Sequence, residues 1–258
     1  MIQLKNLSKH YQELKAVNQL TLSVPPGEIF GFIGPNGAGK TTTILMMAGL
    51  MAPTFGSVTI DGIDMARHPV EAKKKIGLIP DRPYLYEKLT GMEFLRFTAD
   101  LYHVRRNAFT EKAKEFLSIF SLHDRADELI ESYSHGMKQR LIMAAALIHD
   151  PALIIVDEPM VGLDPRAIKT VRDLFKTLAE NGATIFISTH TLKLAEELCD
   201  RIGVIHKGSL VATGTLSDLK ETARLADADL EKIFFQLTEE EITGEKITGE
   251  KITREKIR

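Results

Sequence analysis

Cysteine, long apolar runs and net charge are all scarce in this sequence, and each scarcity removes a class of protein. A single cysteine, Cys199, excludes an intramolecular disulfide framework and any multi-cysteine metal or iron-sulfur site, and it points to a reducing compartment. The longest apolar stretch, Leu141 to Ile148, is far below the roughly 18 residues of a spanning helix. The start MIQLKNLSKH lacks the apolar centre of a signal peptide, so the chain is expected to be soluble and to touch a membrane only through a partner. Acidic side chains number 35 and basic ones 33, a formal net charge of -2 that suggests neither a basic nucleic-acid binder nor an acidic tail protein. What is present is material for an ordinary core: 44% of 258 residues are hydrophobic, enough for one large or two small domains.

Short apolar runs alternate with helical periods, the pattern of an α/β protein with a largely parallel central sheet. The opening is richer in strand, with Ile2 to Leu7, Leu20 to Val24 and Ile29 to Ile33 reading as strands and Pro25-Pro26-Gly27 as a turn. Ser57 to Ile60 ends at Asp61-Gly62, a hairpin signal. From about Thr90 to about Asp150 strands stop, and apolar residues at three- and four-residue spacing over Glu93 to Tyr102 and Lys112 to Phe120 predict a helical insertion. Alternation then resumes with Leu153 to Val156, a helix after Pro165, Thr184 to Thr189, a helix over Leu192 to Cys199, and Ile202 to His206.

Chemistry first appears at Gly34-Pro35-Asn36-Gly37-Ala38-Gly39-Lys40-Thr41, which fits G-x-x-x-x-G-K-[ST] between a strand and a helix. Glycines let such a loop curl so that the N–H groups of Asn36, Gly37, Ala38 and Gly39 point inward at a β-phosphate, with the positive helix end behind them. Lys40 then reaches the β- and γ-phosphates, the Thr41 hydroxyl can ligate magnesium, and Thr42 holds the α-phosphate. Leu153-Ile154-Ile155-Val156 is a second element, a strand buried on both faces that delivers Asp157 and Glu158 at its carboxyl end, where open α/β sheets bind ligands. In these positions Asp157 holds magnesium through water and Glu158 polarises the attacking water as general base.

With Tyr133-Ser134-His135-Gly136-Met137-Lys138-Gln139-Arg140 ahead of an apolar helix, the sequence resembles the ATP-binding cassette family over nearly all of residues 1–235. This segment is similar to the family signature L-S-G-G-Q, Ser134 and Gly136 taking the serine and second-glycine positions. The resemblance implies a P-loop NTPase fold with a mostly parallel central sheet, an N-terminal antiparallel β-subdomain and a helical subdomain at about 90–150. It also implies that this helix N-terminus caps the γ-phosphate of ATP bound to another subunit, so that ATP joins a head-to-tail dimer. Gly162-Leu163-Asp164 is similar to the D-loop at the dimer interface. His190 is similar to the switch histidine on the γ-phosphate, and Tyr11 to the aromatic stacked on adenine.

Departures from the family pattern are His135 for the first signature glycine, Met137 for the signature glutamine, and Asp81 where glutamine usually stands. Asp81 keeps a metal-ligating oxygen but, when ionised, has no hydrogen to donate. His135 has two open readings, a phosphate contact or a local cap. Together with Tyr84 to Thr90 and the ending Leu230 to Phe235, the Asp81 segment resembles ATPases that drive simple bacterial exporters. That likeness implies ATP and magnesium as cofactors and a polytopic membrane subunit docking at residues 81–95. It further implies a homodimer or a heterodimer with another ATPase of the family, no nucleic acid, and a place on the cytoplasmic face of the cell membrane. A soluble ATPase of the same family and an ATP-sensing module without turnover are the alternatives. No guanine-reading N-K-x-D is present, and Lys73-Lys74-Lys75 reads as a solvated face. From Ile242 the chain repeats I-T-G-E-K, I-T-G-E-K, I-T-R-E-K, a period that gathers its isoleucines on no one side of a helix or strand, so 236–258 is expected to be a disordered tail.

Overall fold

The computed structural model describes residues 1–243 apart from 83, 161 and 226, with side-chain surroundings as far as Thr238. Strands β1 (Ile2–Tyr11) and β2 (Leu14–Val24) form an antiparallel hairpin longer than the sequence pattern predicts. Bulges are the reason. Register shifts follow Leu4 and Leu7, Asn6 and Gln19 take φ values of 49° and 50°, and Leu7 and Ser8 are buried in succession, so the alternation that marks a strand is broken while pairing continues. Strand β3 (Ile29–Ile33) leads through the glycine-rich loop into α1 (Lys40–Met47). Strands β4 (Phe55–Ile60) and β5 (Ile63–Asp64) are joined by Asp61 and Gly62, whose φ values of 50° and 78° suit the right-handed twist of a two-residue hairpin.

After α2 (Pro69–Lys74) and β6 (Ile76–Ile79), the chain is helical through α3 (Gly91–Leu101), α4 (Arg106–Ile119), two short 3-10 turns and α5 (His135–Leu147). A capping box opens α3: Thr90 Oγ1 accepts from Glu93 N at 3.1 Å and Glu93 Oε2 accepts from Thr90 N at 2.8 Å. Strand β7 (Leu153–Asp157), α6 (Pro165–Glu180), β8 (Thr184–Thr189), α7 (Leu192–Leu198) and β9 (Arg201–His206) restore the alternation. Strand β10 (Ser209–Gly214), α8 (Leu216–Thr222) and α9 (Leu230–Thr243) follow. The boundary expected after residue 235 therefore falls inside α9, because Ile233 and Leu237 are buried against Leu219 and Leu230 and anchor the helix on both sides of it. Residues 244–258, with most of the pentapeptide repeat, lie outside the described residues.

One sheet runs β2-β1-β4-β5 and is antiparallel; the other runs β10-β9-β3-β8-β7-β6, parallel except for β10. Every residue of β3, β7 and β8 is buried, with Phe30, Phe32 and Phe186 on one face and Ile154, Val156, Ile185 and Ile187 on the other. This order sets the carboxyl ends of β3, β8, β7 and β6 side by side. No helix among the described residues is long and apolar enough to cross a membrane.

His149, just past α5, fastens the helical region to the sheet. Its Nε2–H donates to the Ile76 carbonyl at 3.1 Å and its ring stacks on Tyr102 at 3.7 Å, beside the Lys112–Asp150 ion pair. Burial pushes its pKa down to about 4, against an ordinary 6.5. The unfolded chain thus takes up a proton that the folded chain refuses. Stability from this group is full above about pH 6.5 and is lost as pH falls toward about 4, on the order of 2 kcal/mol after screening of the partly exposed ring is discounted. Thermal melts of His149→Gln, which keeps a donor but cannot titrate, are expected to lack this component of the wild type's acid destabilisation.

Candidate functional site

Along the joined strand ends runs a cleft of about 380 Å³, lined by Ala16, Asn36, Gly37, Gly39, Lys40, Thr41, Thr42, Asp81, Asp157, Glu158 and His190. The loop after β3 curls because two of its glycines take φ of 79° and 108°, and because a Cβ on Gly39 would stand 2.5 Å from the Ala16 carbonyl. Lys40 is 7% exposed, and its Nζ donates to the carbonyls of Gly34 at 2.7 Å and Pro35 at 3.2 Å. Burial lowers its pKa, against the opposing pull of Glu158 and Asp157. The ammonium is thus held inside the loop at the start of α1, facing two carboxylates.

At the end of β7, Asp157 accepts from the Thr41 hydroxyl at 3.1 Å. Burial raises its carboxyl above the ordinary range, the nearby Ser188 hydroxyl and the hydrogen bond from Thr41 oppose this, and the charges of Glu158 and Asp81 add to it. Glu158 has φ of 52°, a conformation uncommon outside glycine, which turns the chain sharply as it leaves the strand. Its Oε1 accepts from His190 N at 3.0 Å and from His190 Nδ1–H at 2.7 Å, and its Oε2 accepts from the Thr189 hydroxyl at 3.0 Å. A carboxylate fixed by three donors next to a buried ammonium is equipped to orient a polar reactant, not merely to solvate the surface.

The donors for a cation are all hard oxygens: the Thr41 hydroxyl and the carboxylates of Asp157 and Asp81. Among the described residues no three His, Cys, Asp or Glu side chains group to hold a metal alone. That donor set fits magnesium, which is held by one or two carboxylates together with water and substrate phosphates.

Ser134 and Gly136 do not border this cleft. Ser134 caps α5, accepting from Met137 N at 3.3 Å, and a Cβ on Gly136 would stand 2.9 Å from the Gly162 carbonyl. The His135 ring packs on Gly162, filling the space where a side chain there would begin, with Cδ2 at 2.4 Å from that Cβ position. Asp164 caps α6, accepting from Ala167 N and Arg166 N at 3.0 and 2.9 Å; those donors hold its carboxyl below the ordinary range. Tyr11 also lies off the cleft wall, 44% exposed at the tip of the β1–β2 hairpin, its hydroxyl donating to Met51 Sδ at 3.1 Å.

The sequence profile described as ABC transporter matches residues 17–161, more than half of the chain. The chain belongs to that family. As an ABC cassette it is an ATP-binding, ATP-hydrolysing subunit. It is 40% identical over 219 residues to the linearmycin resistance ATP-binding protein LnrL of Bacillus subtilis (strain 168), covering 85% of this chain and 70% of that one. A solved ATP-binding subunit of an ABC transporter superposes with a TM-score of 0.89 at 35% identity, over 92% of this chain and 99% of the other. The dimeric post-hydrolysis ATP-binding cassette MJ0796, bound to ADP and Pi, matches with a TM-score of 0.76 at 28% identity, over 84% of this chain and 99% of that one.

Two contributors to the cassette's cleft escape the sequence reading. Ala16 lines it from the bulged β2, a position that no motif flags. Thr189 buttresses Glu158 through its hydroxyl, and only its place at the strand end before His190 hints at this.

Proposed function

We propose that this ABC cassette works as one half of a head-to-tail dimer, with a second copy or another cassette, and closes around two ATP molecules to drive transport through a separate polytopic membrane subunit. The observation that carries the proposal is the separation just described: the phosphate loop, Asp157, Glu158 and His190 share one cleft, while the capped helix end at Ser134 and Gly136 lies off it. One chain therefore supplies half of a phosphate shell, and a partner's Ser134 and Gly136 supply the rest, with Asp164 at the seam. The neighbour solved as a dimer supports this arrangement.

In that shell the N–H groups from Asn36 to Gly39 hold the phosphates, Lys40 exchanges its loop carbonyls for phosphate oxygens, Thr42 binds the α-phosphate and Tyr11 stacks on adenine. Thr41, Asp157 and Asp81 hold magnesium, which when bound neutralises charge on the phosphates. Glu158 orients the attacking water and His190 donates to the γ-phosphate. The work is positioning and charge stabilisation.

The membrane subunit docks where Tyr84 and Tyr86 stand 85% and 61% exposed, Tyr86 packing edge-on against Phe97. Placement is on the cytoplasmic face of the membrane, and the likeness to a resistance protein favours export. Tagged Glu158→Gln protein, isolated from detergent-solubilised membranes with ATP and magnesium, is expected to bring down a multi-span protein at comparable amounts. Recovery of soluble partners alone would overturn the transporter reading in favour of a soluble ATPase.

A further inference from the structure

Gln139 is wholly buried, and neither its amide Nε2 nor its Oε1 has a hydrogen-bond partner among the described residues. An amide can make up to four hydrogen bonds, and a buried polar group left without any costs stability. Its helix neighbours Leu141, Met143 and Ala144 are apolar core, where a methionine or leucine would carry no such cost. A polar group kept there against its folding cost points to a task elsewhere in the working cycle.

Its place on α5 suggests the task. Residues three and four apart share a helix face, so Gln139 lies on the stripe of Gly136, Arg140 and Met143. Gly136 abuts the Gly162 carbonyl, and Arg140 lines a small cavity together with Asp164 and Arg166. Gln139 therefore shares the face of α5 whose signature end, at Gly136, abuts Gly162 and forms a seam with the stretch Gly162 to Asp164, which follows Glu158 in the chain. Both edges of that seam face the second cassette in the dimer proposed above, on which this inference rests.

We propose that Gln139 is a positioning residue: when the dimer closes on ATP, its amide bonds to the backbone of the Gly162–Asp164 stretch and locks it against the signature helix. The chain is then destabilised open and stabilised closed by the same side chain. Gln139→Met keeps the length and removes the amide.

The experiment uses the full chain carrying Glu158→Gln, with and without Gln139→Met, and reads three quantities: Tm, ATP affinity of the monomer at concentrations below those at which it dimerises, and ATP-dependent dimerisation by sedimentation. Expected is an unchanged or raised Tm, unchanged ATP affinity, and dimerisation weakened by about tenfold, the loss of one to two buried hydrogen bonds. A Tm lowered by more than about 4 °C would mean that the amide is satisfied in the open chain and would overturn the inference. So would altered ATP affinity, or dimerisation within about twofold of the parent. Failure of the Glu158→Gln parent itself to dimerise with ATP would refute the dimer reading, a distinguishable result that takes this inference down with it.

Discussion

Glu158→Gln is expected to lower steady-state ATP turnover by about 10²–10⁴-fold, the usual worth of a positioned general base, while ATP still binds. The substitution keeps the carbonyl oxygen at the position of Oε1, so the contacts from His190 N and Nδ1–H survive. It also removes one negative charge beside Lys40 and Asp157, which is neutral or favourable for holding a polyanion. Binding should therefore be preserved while the proposed proton acceptor for the attacking water is lost, and the ATP-bound dimer should accumulate. Phosphate release and size-exclusion chromatography with ATP measure the two effects. Turnover within threefold of wild type would remove Glu158 from its assigned role, and no turnover by the wild type, alone or with its membrane partner, would favour an ATP-sensing module.

The second large effect is expected from Lys40→Ala, with ATP affinity falling by about 10²–10³-fold. Within the phosphate loop the ammonium is satisfied by the carbonyls of Gly34 and Pro35, which close the loop on itself. In the proposed ATP complex two neutral acceptors are replaced by charged phosphate oxygens, and charge-assisted hydrogen bonds contribute about 1.5–3 kcal/mol each. Two of them account for the predicted loss. Removing Lys40 also removes a buried cation, so the fold should tolerate the change, and a Tm close to wild type is the control that separates lost binding from lost structure. Calorimetric titration with ATP and magnesium makes the measurement; a loss below about fivefold would show that the loop N–H groups carry the affinity by themselves.

Local motifs were legible because their function depends on consecutive residues. Gly34 to Thr41 must be contiguous to curl, and Asp157-Glu158 must follow an apolar run to emerge at a buried strand end. The full length of the β1–β2 hairpin is not legible for the opposite reason: a bulge at Asn6 or Gln19 leaves no composition signal, since any residue can stand there at a modest conformational cost. That α9 runs on past residue 235 is likewise not legible, because the helix is held by Ile233 and Leu237 docking on a distant surface, which sequence periodicity around Leu230 to Phe235 does not report. Gln139 carries no signal of its own within the signature segment, since burial is a property of what packs around a position.

By itself the sequence determined the α/β class, the phosphate loop, the carboxylates after β7 and the family, because each is written in neighbouring residues and their spacing. Only the tertiary structure decided that β8 lies between β3 and β7, which brings His190 and Thr189 onto Glu158 and Thr41 onto Asp157. Strand order is set by which apolar faces bury one another across the whole sheet, and no local segment encodes it.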